Sequence, residues 1–202
     1  MENIDLVSLI PYVIITTFSP GPNNISCASL VVNFGIKKSI NYFYGIYFGF
    51  ITILLLAGFF STVLNNFIPS FEPIMRWVGA AYILYLAYNI LKADYSFQTS
   101  EQRSNPFNFA HGFILQFLNP KGIIYALTLY SAFLNTIIGI PEYIILFAFI
   151  LASLGFSSLL IWAFFGKIIS KYLHQKNTKR FVNTLLALLL FYTAVKLTGL
   201  VF

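Results

Sequence analysis

Residues 6–36 form an uncharged run, yet Pro20 and Pro22 stand in its middle, within the sequence SPGPNN. A proline inside a helix removes a backbone hydrogen-bond donor and clashes with the carbonyl four residues earlier. In lipid, a carbonyl freed in this way has no bulk water to bind, so the break is costly. We therefore interpret the break as a binding site within a membrane-spanning segment.

The composition agrees with this interpretation. Of the 202 residues, 58% are apolar and 9% are charged, which is far from the average soluble domain. The formal net charge of +6 falls in short loops between apolar segments, so it indicates orientation in a membrane and not a nucleic-acid partner. We predict an all-α integral membrane protein, embedded in the lipid bilayer, that needs no cofactor and no metal.

Six apolar runs are long enough to cross a bilayer, which takes about 20 helical residues. The predicted spans are residues 6–36, 39–64, 74–91, 107–134, 143–169 and 178–200. The first and fourth spans are long because each contains a proline interruption. The polar segment 93–106 divides the chain into two halves, 1–92 and 107–202, with three spans each.

The basic residues of the loops predict the orientation, because cytoplasmic loops carry an excess of Lys and Arg. The loops after the first, third and fifth spans hold two acidic residues, Asp94 and Glu101, and nine basic ones, which are Lys37, Lys38, Lys92, Arg103, Lys167, Lys171, Lys176, Lys179 and Arg180. We therefore expect the 93–106 linker in the cytoplasm and both termini outside.

The two halves resemble each other in sequence. RWVGAAYILYLAYNILK (76–92) aligns without a gap with RFVNTLLALLLFYTAVK (180–196), and the Arg and Lys at both ends are shared. PGPNN (20–24) and LNPKG (118–122) place a proline break in the first span of each half. Because three spans per half is an odd number, the halves must face opposite ways, as in the inverted repeats of many secondary transporters. Spans 1 and 4 are expected to be broken at the middle of the bilayer.

The two breaks supply the candidate binding residues. Each proline suits the first position of a new half-helix, whose free N–H groups and positive dipole end attract a carboxylate. A lysine at this depth is costly and marks a functional position. We therefore predict that an amino-acid substrate binds to Pro20, Gly21, Pro22, Asn23, Asn24, Asn119, Pro120 and Lys121.

The sequence indicates a functional role less strongly for several other residues. His111, Gln116 and Tyr125 are candidates for pore lining or proton handling, although His111 also fits a satisfied polar residue near the cytoplasmic surface. Either proline break taken alone could be a simple kink. The GIYFG pattern (45–49) is more typical of close helix packing than of substrate contact.

The quoted motifs also resemble a known family. SPGPNN in the first span, NPKG in the fourth and WVGAAYILYLAYNILK in the third are similar to the lysine-exporter superfamily, in its homoserine/threonine-exporter branch. The similarity covers nearly the whole chain. Within that branch, ITTFSPGPNNI, ILQFLNPKGIIYALT and LALLLFYTAVKL look most like cysteine/O-acetylserine exporters.

The resemblance implies export of small amino acids across the bacterial cytoplasmic membrane, driven by the proton gradient. One departure concerns coupling. Many relatives place an acidic residue after the second glycine of a GxxxG pattern in the second span, whereas Phe50 follows Gly49 here. The proton-coupling group is therefore unassigned, with Lys121 and His111 as candidates.

Three other functions remain to be weighed. A cadmium-type metal-ion exporter of the same superfamily would need better ligands than one Cys and two His. A membrane enzyme or thiol-redox carrier would need a Cys pair, a catalytic His with an acid partner, or a phosphate loop, so we expect no enzyme. An uncoupled channel stays open, as does the oligomeric state, including a homodimer.

Overall fold

The computed structural model of the chain describes residues 4–92, 107–171 and 176–198, and in these ranges the regular structure is entirely helical. A π-helical turn (Leu129–Phe133) and a 3₁₀ turn (Asn135–Ile137) follow α5. The α-helices are α1 (Leu6–Phe18), α2 (Pro22–Phe34), α3 (Ile36–Lys92), α4 (Phe109–Phe117), α5 (Pro120–Thr128), α6 (Pro141–Lys171) and α7 (Lys176–Thr198). The all-α prediction is confirmed, whereas the predicted linker 93–106 lies outside the described residues.

Both predicted proline breaks are present. The first predicted span corresponds to α1 and α2, and α2 begins at Pro22 after its N-cap Gly21. The fourth predicted span corresponds to α4 and α5, and α5 begins at Pro120 after its N-cap Asn119. A proline at the first helical position loses no hydrogen bond, because its N–H would have no partner within the helix.

The second and third predicted spans form one helical run, α3, whose backbone is non-helical at Phe60 (φ −122°, ψ 21°). A straight helix of 57 residues would be about 85 Å long, so a bend is needed for compact packing. Tyr42 and Ile83, on opposite sides of Phe60, belong to the same buried cluster. The sequence predicts that the second span ends at residue 64 and that the third begins at residue 74, near the charged Glu72. In the structure the bend lies earlier in the chain, at the uncharged Phe60.

Two clusters of buried apolar side chains form the core. The first joins α2, α3, α4, α6 and α7 and includes Leu30, Ile83 and Leu190. The second joins α1, α3, α5 and α6 and includes Leu54 and Ile144. Helices from both breaks therefore pack against α3 and α6 in the core.

Close backbone packing joins α3 to α4. A Cβ atom on Gly45 would overlap the carbonyl of Phe109, and one on Gly112 would overlap the carbonyl of Tyr42. Small residues allow helix backbones to approach in this way inside membranes. The prediction that the GIYFG pattern packs helices is therefore confirmed for its first glycine.

A pair of buried amides joins α2 to α7. Asn33 Nδ2 donates to Asn183 Oδ1 at 3.1 Å, and Asn183 Nδ2 donates to Asn33 Oδ1 at 2.9 Å. Neither side chain is exposed. Because each amide satisfies the other, both can be buried among apolar side chains without an unpaired polar group.

The outer surface is rich in large apolar side chains, with Phe164 59% and Phe181 69% exposed. Apolar surface of this extent is unfavourable in water and indicates contact with lipid. Among the described residues, Ile36–Phe60 and Pro141–Ser170 are long and apolar enough to cross a membrane individually, and α1 is a shorter apolar helix.

Candidate functional site

The two helix breaks, which are about one hundred residues apart in sequence, lie side by side. Lys121 Nζ, at the start of α5, donates a hydrogen bond of 2.8 Å to Ser19 Oγ, just after α1. A Cβ atom on Gly21 would lie 3.2 Å from the same nitrogen. Glycine at this position therefore allows the lysine to approach the backbone of the first break.

A chain of side-chain amides links the breaks a second time. Asn119 Nδ2 donates to Asn23 Oδ1 at 3.1 Å, and Asn23 Nδ2 donates to Gln116 Oε1 at 2.8 Å. Asn119 and Gln116 are 3% and 1% exposed, respectively. The chain orients the three amides relative to one another, because each donor requires an acceptor on the next residue.

The break after α1 is stabilised by side chains that bind its free carbonyls. Asn24 Nδ2 donates to the carbonyls of Thr17 and Ser19, each at 3.0 Å. Trp162 Nε1, on α6, donates to the carbonyl of Phe18 at 3.2 Å. These bonds offset the cost that makes an interrupted helix unfavourable in lipid.

A cavity of about 70 Å³ lies between the breaks, α3 and α6. One water needs about 10–15 Å³ of such space, so the cavity has room for about five waters or a small molecule of similar size. Its polar side is formed by Asn23, Asn24, Gln116, Asn119 and Lys121, and its apolar side includes Ile46, Phe50 and Leu159. The cavity therefore joins a polar, cationic end to an apolar wall.

The charge balance of the cavity favours an anionic group. Lys121 is the one charged side chain among the described residues that line it. Both α2 and α5 border the cavity with their first turns, and neither has a hydrogen bond from the side chain of its N-cap residue. Such N-terminal ends carry free N–H groups and partial positive charge, which stabilise a carboxylate.

Most of the predicted site residues meet at this cavity. The lining includes Gly21, Pro22, Asn23, Asn24, Asn119, Lys121, Gln116 and Tyr125. Pro20 is exposed within the first break, and Pro120 is buried at the start of α5; neither belongs to the lining. Their contribution is to the backbone path of the two breaks.

His111 lies away from the cavity, at the start of α4. Its Nδ1 is 2.9 Å from Asn108 Oδ1, and the two residues form a reciprocal capping box. Because these contacts satisfy a helix N-terminus, they agree with the structural interpretation of His111. The structure does not bring His111 together with Lys121.

Sequence reasoning missed three residues that support the site: Ser19, Ser158 and Trp162. Ser158 Oγ donates to the carbonyl of Thr17 at 3.0 Å. Ser19 stands in the quoted SPGPNN motif, so its hydroxyl was available as a partner for the lysine. The local sequence does not indicate a role for Ser158 or Trp162, because the carbonyls that they bind are about 140 residues away in sequence.

The chain matches known proteins over nearly its full length. The model of the LysE-type translocator family matches residues 14–199. A cysteine/O-acetylserine efflux protein of Klebsiella pneumoniae subsp. pneumoniae is 33% identical over 190 residues, covering 94% of this chain and 95% of the relative. Proteins of the same description from Salmonella choleraesuis (34% over 193 residues, 92% and 93% covered) and Escherichia coli (32% over 188 residues, 92% and 93% covered) are also similar.

No solved structure matches the chain. The family model and the relatives agree with the apolar outer surface. The resemblance drawn from SPGPNN and NPKG is thereby confirmed. This chain belongs to the LysE-type translocator family and is an integral membrane transporter, not an enzyme.

Proposed function

We propose that this protein exports amino acids with small, uncharged side chains, and that cysteine and O-acetylserine are the first candidates. These substrates bind in the cavity between the two helix breaks. The observation that carries the proposal is the meeting of both breaks at Lys121, within 2.8 Å of Ser19. The printed names of the relatives support the choice of substrates.

The carboxylate of the substrate binds to Lys121 and to the first turns of α2 and α5. Of the three N–H donors of the lysine ammonium, one is directed to Ser19, which leaves two for a ligand. The helix N-termini add backbone donors and positive potential. A carboxylate thus receives charge-assisted hydrogen bonds that a neutral ligand could not form as strongly.

The substrate side chain lies against the apolar wall. Ile46, Phe50 and Leu159 line this part of the cavity, and Gly155 allows the Phe50 ring to pack closely against α6, because a Cβ atom there would lie 3.2 Å from the ring. A charged side chain would find no partner among these residues, so burying it would be costly. Zwitterions with small uncharged side chains therefore fit best.

The proposed architecture in the membrane is six spans in two inverted halves, 1–92 and 107–202, joined by the 93–106 linker. The excess of basic residues in three loops supports an orientation with both termini outside and the linker in the cytoplasm. The helix breaks then lie near the middle of the bilayer, with α2 and α4 on the cytoplasmic side.

Transport assays in inverted vesicles test the function. Labelled cysteine and O-acetylserine are expected to enter vesicles that contain the protein faster than matched vesicles without it, whereas lysine, glutamate and Cd²⁺ are not. Equal cysteine uptake with and without the protein would contradict the proposal, and protein-dependent Cd²⁺ uptake would favour a metal exporter.

Proton coupling is a separate part of the proposal and has its own measurement. We expect an acidic vesicle interior to drive cysteine above its external concentration. If cysteine only equilibrates across the membrane, and a protonophore leaves its rate unchanged, the protein is an uncoupled pathway for the same substrates.

A further inference from the structure

One polar atom at the cavity has no partner among the described residues. Asn119 Oδ1 is buried and accepts no hydrogen bond, although the Nδ2 atom of the same amide donates to Asn23. The whole residue is only 3% exposed and lines the cavity. A buried carbonyl oxygen without a donor is unfavourable, so this atom is suited to a ligand that brings one.

The orientation of this amide is coupled to that of its two neighbours in the chain of amides. Reversing Asn119 would direct its oxygen at Asn23 Oδ1, so the Asn23 amide would also have to reverse, and its oxygen would then meet Gln116 Oε1. The three amides can therefore reverse only together, and in the arrangement of the structure Asn119 donates to Asn23 while its own oxygen is unpaired. Gly122 leaves space next to this group, since its Cβ atom would lie 3.8 Å from Asn119 Nδ2.

We propose that Asn119 Oδ1 accepts a hydrogen bond from the α-ammonium group of the transported amino acid, while Lys121 holds its carboxylate. This inference rests on the proposed function, because it concerns the same cavity. Both residues line the same cavity, Asn119 as the N-cap of α5 and Lys121 in its first turn. In an amino acid the two charged groups are attached to one carbon, so two partners within one small cavity suit them.

A neutral acceptor suits this place better than a carboxylate. An Asp or Glu next to Lys121 would pair with the lysine and compete with the substrate carboxylate. An amide oxygen can accept from an ammonium without neutralising the lysine. The site then distinguishes a zwitterion from a simple carboxylic acid, which lacks the donor that Asn119 requires.

Two analogues of cysteine separate the two contacts. In 3-mercaptopropionate the α-ammonium is missing and the carboxylate remains, whereas in cysteamine the carboxylate is missing and the ammonium remains. Each is used to inhibit the uptake of labelled cysteine into inverted vesicles. For the wild-type protein, we expect 3-mercaptopropionate to inhibit about 10–100-fold more weakly than unlabelled cysteine, as for the loss of a hydrogen bond to a charged group.

The variant Asn119→Leu removes the acceptor, together with the Nδ2 donor to Asn23, with little change in volume. The lost contact with Asn23 affects both compounds alike, whereas the lost acceptor affects only cysteine, so we expect the difference of about 10–100-fold between their inhibition constants to disappear. The control Ser19→Ala disturbs the lysine and so the carboxylate contact, which both compounds make. Ser19→Ala should weaken the binding of cysteine and of 3-mercaptopropionate by the same factor, so the ratio of their inhibition constants should stay as in the wild-type protein.

Equal inhibition by cysteine and 3-mercaptopropionate in the wild-type protein would overturn the inference, as would an unchanged ratio in Asn119→Leu. If Asn119→Leu does not accumulate in the membrane, Asn119→Ala takes its place with the same readout. Failure of the proposed function is distinguishable, since the vesicles would then show no protein-dependent cysteine uptake at all.

Discussion

Replacing Lys121 by methionine tests the carboxylate site directly. Methionine has nearly the length of lysine and no charge, so the variant removes the ammonium with little change in packing. In the structure, Lys121 Nζ contacts Ser19 Oγ at 2.8 Å, and the described lining of the cavity contains no other charged side chain. The variant therefore leaves a substrate carboxylate with the two helix N-termini alone.

The size of the effect follows from the charges. A carboxylate about 3 Å from an ammonium is attracted by about 5 kcal/mol at an effective dielectric constant of about 20. Desolvation offsets part of this, and truncating one partner of a buried, hydrogen-bonded charge pair costs about 2–5 kcal/mol. Because Lys121 is half-buried, we expect the variant to lose about 2–3 kcal/mol of the free energy of substrate binding. This loss corresponds to about a 30–150-fold decrease in transport efficiency.

The assay is the concentration dependence of labelled cysteine uptake into inverted vesicles, normalised to the amount of protein in the membrane. Lys167→Met is the matched control, because Lys167 is exposed on α6 and lies outside the cavity lining. Inhibition by cysteamine, which has no carboxylate, should change little in Lys121→Met. A Lys121→Met protein that transports cysteine within threefold of the wild-type rate would refute the assignment.

Two further predictions concern packing. Gly45→Ala should lower the stability of the detergent-solubilised protein by about 1–3 kcal/mol, because the added Cβ atom overlaps the Phe109 carbonyl. Gly122→Ala is the control and should leave the thermal midpoint nearly unchanged, because its added Cβ atom would lie 3.7 Å from the nearest atom, Gln116 Oε1. Asn33→Leu should lower the free energy of unfolding by about 1–3 kcal/mol, because Asn183 Oδ1 loses its donor and Asn183 Nδ2 keeps only the Ile90 carbonyl at 3.4 Å. The Asn33→Leu/Asn183→Leu double variant should cost less than the sum of the single variants. Equal midpoints for both glycine variants, or strictly additive asparagine variants, would contradict this.

Much of the candidate site could be predicted from the sequence because its residues are polar or helix-breaking in otherwise apolar segments. Pro22 and Pro120 begin new helices at the predicted positions, and Asn23 and Lys121 both reach the cavity. Each of these residues would be costly in lipid without a compensating role. The local sequence therefore marked them as functional.

Other features lacked such a signal. The bend at Phe60 has neither proline nor charge, and it depends on how the two parts of α3 pack in the core. Trp162 resembles any other aromatic residue of an apolar helix until its indole nitrogen meets the Phe18 carbonyl. The sequence allows two interpretations of His111, proton handling or a satisfied polar residue, and its place in the capping box of α4 depends on contacts with Asn108 that only the structure shows.

The amino-acid sequence alone determined the helical class, the apolar surface and the positions of both helix breaks. These follow from local properties, because hydrophobicity and proline geometry act within a few residues. The tertiary structure decided that Lys121 meets Ser19, that Asn119 keeps an unpaired oxygen, and that Phe50 and Leu159 form the apolar wall. Those arrangements depend on contacts between helices that are distant in sequence, and no local pattern specifies which side chains will meet across a packed core.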